Sequence, residues 1–317
     1  MSRPFASGSA AVTPARCALL AAAAALAANL AAAAPTSPFA AKVIAFAPGA
    51  GGAAGYDNPL AVLGEPTRFT GVGLFPSVVS PFSPAFLPGE ILSIGVGGWI
   101  ELAFEAPVID DPSNPFGVDL ILFGNTGFID AAFPLGIVGG VFSDDGGVVE
   151  VSADGIAWHV VPGAVADGLM PTLGYLDSGP FDGTPGSIPS DFRKPLDPAL
   201  ALEDVLFLEY DELLDLYAGS GGGTGIDLAS VGLAQAKYVR ISVPAGASRS
   251  IELDAIVGIL FARANAADLD GDGVVDGADL GILLGAWGET GPGLPADLDG
   301  NGTVDGADLG ILLGAWT

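Results

Sequence analysis

From residue 42 to residue 259 the apolar positions recur every second residue rather than every third or fourth. The runs KVIAFA (42–47), ILSIGV (91–96), WIELAFE (99–105), VDLILFG (118–124), VVEVSA (148–153), IAWHVV (156–161), KYVRISV (237–243) and IELDAIVGI (251–259) are short and bounded by Gly, Pro, Asp and Ser. In the third run Ile100, Leu102 and Phe104 face one way, Glu101 and Glu105 the other. This period belongs to strands with one buried face. Asp154-Gly155 separates two runs and predicts a hairpin, because Gly readily takes the positive φ that a tight turn needs. DELLDLYAG (211–219) reads as the one helical exception. Many short strands joined by turns predict a mainly β domain over 40–262, a β-sandwich or jelly roll.

Past residue 264 the period changes. DLDGDGVVDGADLGILLGAW begins at Asp268 and DLDGNGTVDGADLGILLGAW at Asp297, so the tail 264–317 is a tandem repeat. Each copy opens with an acidic, Gly-rich loop and closes on ADLGILLGAW. There Leu280, Leu283, Leu284 and Trp287, or Leu309, Leu312, Leu313 and Trp316, stand at i, i+3, i+4 and i+7 and predict a short helix with that face inward. GETGPGLPA before the second loop forbids an entering helix, since Pro and Gly interrupt one. Each unit is therefore loop then helix.

The loop spacing carries chemistry. Calcium takes six to eight oxygen ligands, and a twelve-residue loop supplies them from positions 1, 3, 5, 9 and 12, a carbonyl at 7, and a Gly at 6 for the turn. The first copy offers Asp268, Asp270, Asp272, the carbonyl of Val274, Asp276 and Asp279. The second offers Asp297, Asp299, Asn301, the carbonyl of Thr303, Asp305 and Asp308. Val275 and Val304 at position 8 should anchor each loop to a core. An acidic solvated turn has no reason to fill every slot twice, so two Ca2+ ions are expected.

Two resemblances follow from these residues. The paired loop-helix units resemble the type I dockerin module, an EF-hand-type calcium fold. The resemblance implies docking to a cohesin-like or other surface-assembly protein. Dockerins usually carry Ser or Thr at loop positions 10 and 11 and a basic residue on the helix. Here Gly277-Ala278 and Gly306-Ala307 stand in those slots and neither helix has a Lys or Arg. Farther upstream, VEVSADGIAWHVVPG (149–163) and AKYVRISV (236–243) look like the V-S-x-D-G-x-x-W hairpin and Y-V-R-I strand of galactose-binding, discoidin-like jelly rolls. That resemblance implies a fold and leaves the ligand open.

Composition narrows the class. The formal charge is −27 with only ten Lys and Arg, so nucleic acid and anionic membrane surfaces are excluded as partners for want of a basic patch. Gly at 48 and Pro at 25 beside a half-hydrophobic chain suit short strands and tight turns rather than disorder. Arg3 and Arg16 precede an apolar run, CALLAAAAALAANLAAAA, then PTSP. This reads as a signal peptide over 1–34 cleaved near Ala34, with no stable membrane span afterwards. Cys17, the only cysteine, lies within it, so the mature chain has no disulfide.

Catalysis is hard to build from what remains. There is no nucleophile elbow, P-loop or dinucleotide fingerprint. The single histidine, His159, falls in a strand beside Trp158 and reads as a solvent-facing side chain. A carboxylate pair for glycoside hydrolysis stays open because acids are abundant. Trp99 and Trp158 are candidate sugar platforms, though strand tryptophans more often pack. Asp57, Asn58, Asp119, Asn125 and Asp227 sit where loops meet strands and suit either a structural calcium or Asx turns. The sequence thus favours a secreted or cell-surface, calcium-binding, non-catalytic protein whose β domain binds glycan or another surface ligand. The alternatives are a polysaccharide hydrolase or accessory protein, and a structural envelope component.

Overall fold

The computed structural model describes residues 37–143, 146–260, 265–270, 275–291, 294–299 and 301–316. The expected signal peptide, Asp272 and Val274 lie outside them. Two compact units divide the chain, one within Thr36–Arg263 and one in the tail from Ala264 onward. No helix among the described residues is long and apolar enough to cross a membrane.

The first unit is antiparallel β throughout its sheets. Each of the eight alternating runs carries a strand: β1 (Lys42–Ala47), β2 (Leu92–Ile94), β3 (Trp99–Ile109), β4 (Leu120–Gly124), β7 (Gly146–Ser152), β8 (His159–Asp167), β10 (Gln235–Ser242) and β11 (Ile251–Gly258). Three strands lack an alternating signature: β5 (Gly127–Asp130), β6 (Val138–Phe142) and β9 (Thr224–Ile226). A five-stranded sheet runs β1-β3-β10-β7-β8, a four-stranded sheet β2-β11-β4-β9, and β5-β6 form a hairpin.

The alternation of β3 decides how the two larger sheets pack. Ile100, Leu102 and Phe104 are buried with Val239 and Ile241 of β10, and they share one core with Leu120, Leu122, Leu253 and Ile256 of the other sheet. Two antiparallel sheets over one apolar core is the arrangement of a β-sandwich. The opposite face of β3 keeps Glu101 and Glu105, which water or a cation can solvate. The β7–β8 turn forms at Asp154-Gly155: the Asp154 carboxylate accepts the N–H groups of Ile156 and Ala157, and Gly155 sits at φ +74°.

A second core grows beside the sandwich. It joins Phe82 and Phe128 with Val205, Tyr210, Leu213 and Tyr217. Those last four belong to α1 (Leu202–Val205) and α2 (Tyr210–Tyr217), the latter matching the one helix anticipated in this unit.

The tail unit holds α3 (Gly277–Gly285) and α4 (Gly306–Gly314), one after each loop. Its core is Ala267, Leu269, Val275, Leu283, Ala296, Val304 and Leu312. Val275 and Val304 anchor their loops as expected. The helix faces differ from expectation: Leu283 and Leu312 are buried, but Leu284, Trp287, Leu313 and Trp316 are exposed. The cause lies in the first turn. Asp279 and Asp308 must point into the loop and are themselves fully buried, so the inward face follows Asp279, Leu283 and Ala286 at i, i+4 and i+7. Leu284 then sits about 100° around the axis from Leu283 and faces water.

Candidate metal centre

Each tail helix begins with two aspartates that do different work. Asp276 is the N-cap of α3 and accepts the Ala278 N–H at 2.8 Å, while Asp279 reaches back to the Asp276 N–H at 2.8 Å. Asp305 and Asp308 repeat this on α4 at the same distances. Reciprocal caps of this kind satisfy N–H groups that the first turn leaves without partners.

The second oxygen of each buried carboxylate organises the loop before it. Asp279 Oδ1 accepts the N–H groups of Leu269 and Asp270, and Asp308 Oδ1 those of Leu298 and Asp299. This ties position 12 to the backbone of positions 2 and 3. In the first copy Asp268, Asp270 and Asp279 offer carboxylate oxygens all within 4.8 Å of one another, and in the second Asp297, Asp299 and Asp308 do the same. The two sets occupy identical loop positions. Asn301 closes the second loop from inside: its side-chain oxygen accepts the Thr303 N–H, and its amide donates to Asp299 at 2.8 Å. Asp276 and Asp305 stand outside the triads, engaged as caps, and Asp272 and Val274 belong to undescribed residues.

Burial raises the Asp308 carboxyl, but N–H bonds from Asp305, Asp299 and Leu298 outweigh it and hold the group below the ordinary carboxylate range. The carboxylate is thus kept charged beside two others. Three like charges at this spacing repel unless something positive lies among them. The donors are all oxygen, which suits a hard cation better than zinc or copper, whose sites draw mostly on nitrogen and sulfur. Each triad can therefore hold a metal ion.

A third acidic group lies in the β unit. Asp119, fully buried, gathers the Asp111 N–H, the Asn114 amide and the Leu228 N–H, and its oxygens lie within 4.8 Å of those of Asp110 and Asp227. Burial pushes its carboxyl up, with a further upward push from Asp110. Of the loop residues flagged from sequence, Asp119 and Asp227 do meet, whereas Asn58 accepts the Leu60 N–H and caps a short helical turn. Asn125 belongs elsewhere, bonded through its backbone to Asp167. Asp110 carries no alternating or loop-motif signal; only the fold brings it to Asp227.

Trp99 opens β3 and Trp158 precedes β8, both half-buried. One face of Trp158 is covered by the Arg240 guanidinium, 3.9 Å from the ring centroid. Arg240 is held in turn by Glu101 at 2.5 Å and Glu150 at 3.6 Å across neighbouring strands. His159 begins β8, half-buried, with its Cα opposite that of Val151.

No protein-family model matches this sequence, and no curated protein is similar enough to be named as a relative.

Proposed function

We propose that this is an exported, calcium-binding, non-catalytic protein, in which the tail unit takes two Ca2+ ions and docks to a partner protein while the β unit binds a surface ligand. The observation that carries the reading is the duplicated triad: two stretches of chain place carboxylates from positions 1, 3 and 12 together in the same way. Calcium is the cation that fits best, because it accepts many oxygens in loose geometry and the loops offer carboxylates, an amide and carbonyls. Its chemistry here is charge neutralisation, which ties each loop to the helix that follows. Asp276 and Asp305 keep their helix caps throughout and fix the angle at which α3 and α4 leave the loops.

Docking through the tail is supported by what the helices leave outside. Ile282, Leu284 and Trp287 are exposed on the first copy, and Ile311, Leu313 and Trp316 on the second. With no basic residue and no hydroxyl at the usual recognition positions, a partner of the cohesin-like or other surface-assembly class would have to read apolar surface instead. The galactose-binding-like character of the β unit is part of the same proposal and rests on the sandwich and its Asp154-Gly155 hairpin.

The test is titration calorimetry of the chelator-treated full chain with calcium and, separately, magnesium. Two tight calcium sites are expected, both abolished in Asp268→Ala/Asp297→Ala. Tight sites that survive this double substitution, or none in the unaltered chain, would overturn the assignment.

A further inference from the structure

The outer face of the five-stranded sheet carries a trough of ≈440 Å³ between β1 and β10. Its floor is Ala103 of β3, with Lys42 and Tyr238 at the two positions opposite it on the flanking strands. Strand spacing sets those two Cα atoms about 10 Å apart. Lys237 enters from the bulge between Ala236 and Tyr238, Glu105 from farther along β3, and Ile44, also bulged, lines one wall.

Two of the chain's three lysines thus line one depression on a molecule of formal charge −27. Among the described residues neither ammonium has an ion-pair or hydrogen-bond partner, and neither does Glu105 or the Tyr238 hydroxyl. The contrast with Arg240 on the same face, held by two glutamates and stacked on Trp158, is direct. The trough therefore offers two cationic donors, one acceptor-only carboxylate and one phenol, all uncommitted.

Charge counting selects the ligand. Two ammoniums and one carboxylate leave a single net positive charge, which a monoanion balances and a dianion exceeds. A polyanion is further disfavoured by the charge of the whole molecule. Glu105 repels the ligand's carboxylate but accepts from a hydroxyl, so a bare carboxylate leaves it without a partner. The exposed flank of Ile44 and the Tyr238 ring supply apolar surface for a ring's C–H face. We infer that the Lys42–Lys237 trough binds a hydroxylated monocarboxylate, a single uronic acid unit of a saccharide. The inference rests on reading the β unit as a ligand-binding module.

The probes are glucuronate and galacturonate, with glucose, acetate and inorganic phosphate as comparisons, each titrated into the full chain by calorimetry. Saturable uronate binding is expected, weakened by added salt and about tenfold or more in Lys42→Ala and in Lys237→Ala, the scale of a lost charge-assisted hydrogen bond. Both substitutions lie on the sheet surface and should leave the melting temperature and the calcium isotherm unchanged. Glu105→Gln should blunt the preference for uronate over acetate. The inference fails if uronates do not bind, if acetate or phosphate binds equally well, or if the lysine variants bind as before. Because calcium binding is measured in the same samples, loss of this site leaves the tail reading untouched, and the reverse.

Discussion

Asp254 on β11 is a carboxyl with almost no access to water. It accepts the Thr67 N–H at 2.8 Å and the Thr67 hydroxyl at 3.2 Å. Burial drives its pKa up to about 7; the Thr67 bonds work against this and the charge of Glu90 adds to it. The folded chain thus holds a proton that the unfolded chain gives up near pH 4. Between those values the native state binds more protons, so stability falls as pH rises from about 4 to about 7. A shift of this size corresponds to about 4 kcal/mol at most. Asp167 on β8 acts in the same sense. Its Oδ1 accepts from Asn125 and Thr126; burial again raises it to about 7, with the bond from Thr126 working against this and the charge of Glu252 adding to it. Melting temperatures of the full chain between pH 4 and pH 7 should decline, and Asp254→Asn should flatten part of the slope. An unchanged slope in that variant would remove Asp254 as the cause. Neither group was legible in the sequence, where Asp254 is one more polar residue in an alternating strand. Its lack of water depends on Thr67, far away in the chain.

At the scale of elements, alternation succeeded where a strand has one wet face. β3 and β10 were readable because Glu101, Glu105 and Arg240 mark the outside between buried Ile100, Leu102, Val239 and Ile241. β6 (VGGVF) and β9 (TGI) escaped because glycines and brevity erase the period. The tail helices were read in place but turned on their axes. The apolar stripe suggested Leu284 and Trp287 inside, whereas the need to aim Asp279 at its loop set the rotation. A consequence follows for the helix glycines. A methyl group added at Gly281 or Gly310 would meet nothing within 4 Å, so Gly281→Ala and Gly310→Ala should each stabilise their helix by about 1 kcal/mol through reduced chain entropy. Far-ultraviolet dichroism in chelator should report more helix in the double variant. Reduced helicity would mean that the glycines meet a surface in solution. Within the first unit, Leu122→Ala should cost about 2–5 kcal/mol by opening a cavity in the shared sheet core. Urea unfolding of the full chain measures this directly.

For the whole molecule, the two units draw stability from different sources. The β unit has a large apolar core, and among the described residues the tail core has seven buried apolar side chains, several of them alanine or valine. Helices of nine residues are marginal on their own. A ligand bound only by the native state stabilises it by mass action, so calcium should supply folding free energy to the tail. The two loops are not equivalent. Five aspartates stand at ligand positions of the first, four and Asn301 in the second. Asn301 also spends its amide on Asp299, a contact that a cation must compete with. Greater ligand charge favours tighter binding where the frames are alike, and the matching cap distances at Asp276 and Asp305 indicate that they are. The first loop should therefore fill first. In a calorimetric titration followed in parallel by dichroism, Asp268→Ala should remove the tighter step and Asp297→Ala the weaker, with helicity rising across both in the unaltered chain. Asn301→Asp should bring the two affinities together. If removing the first loop's ligand instead abolishes the weaker step, charge does not rank the sites, and the Asn301 amide contact is an aid to folding the second loop rather than an obstacle to the ion.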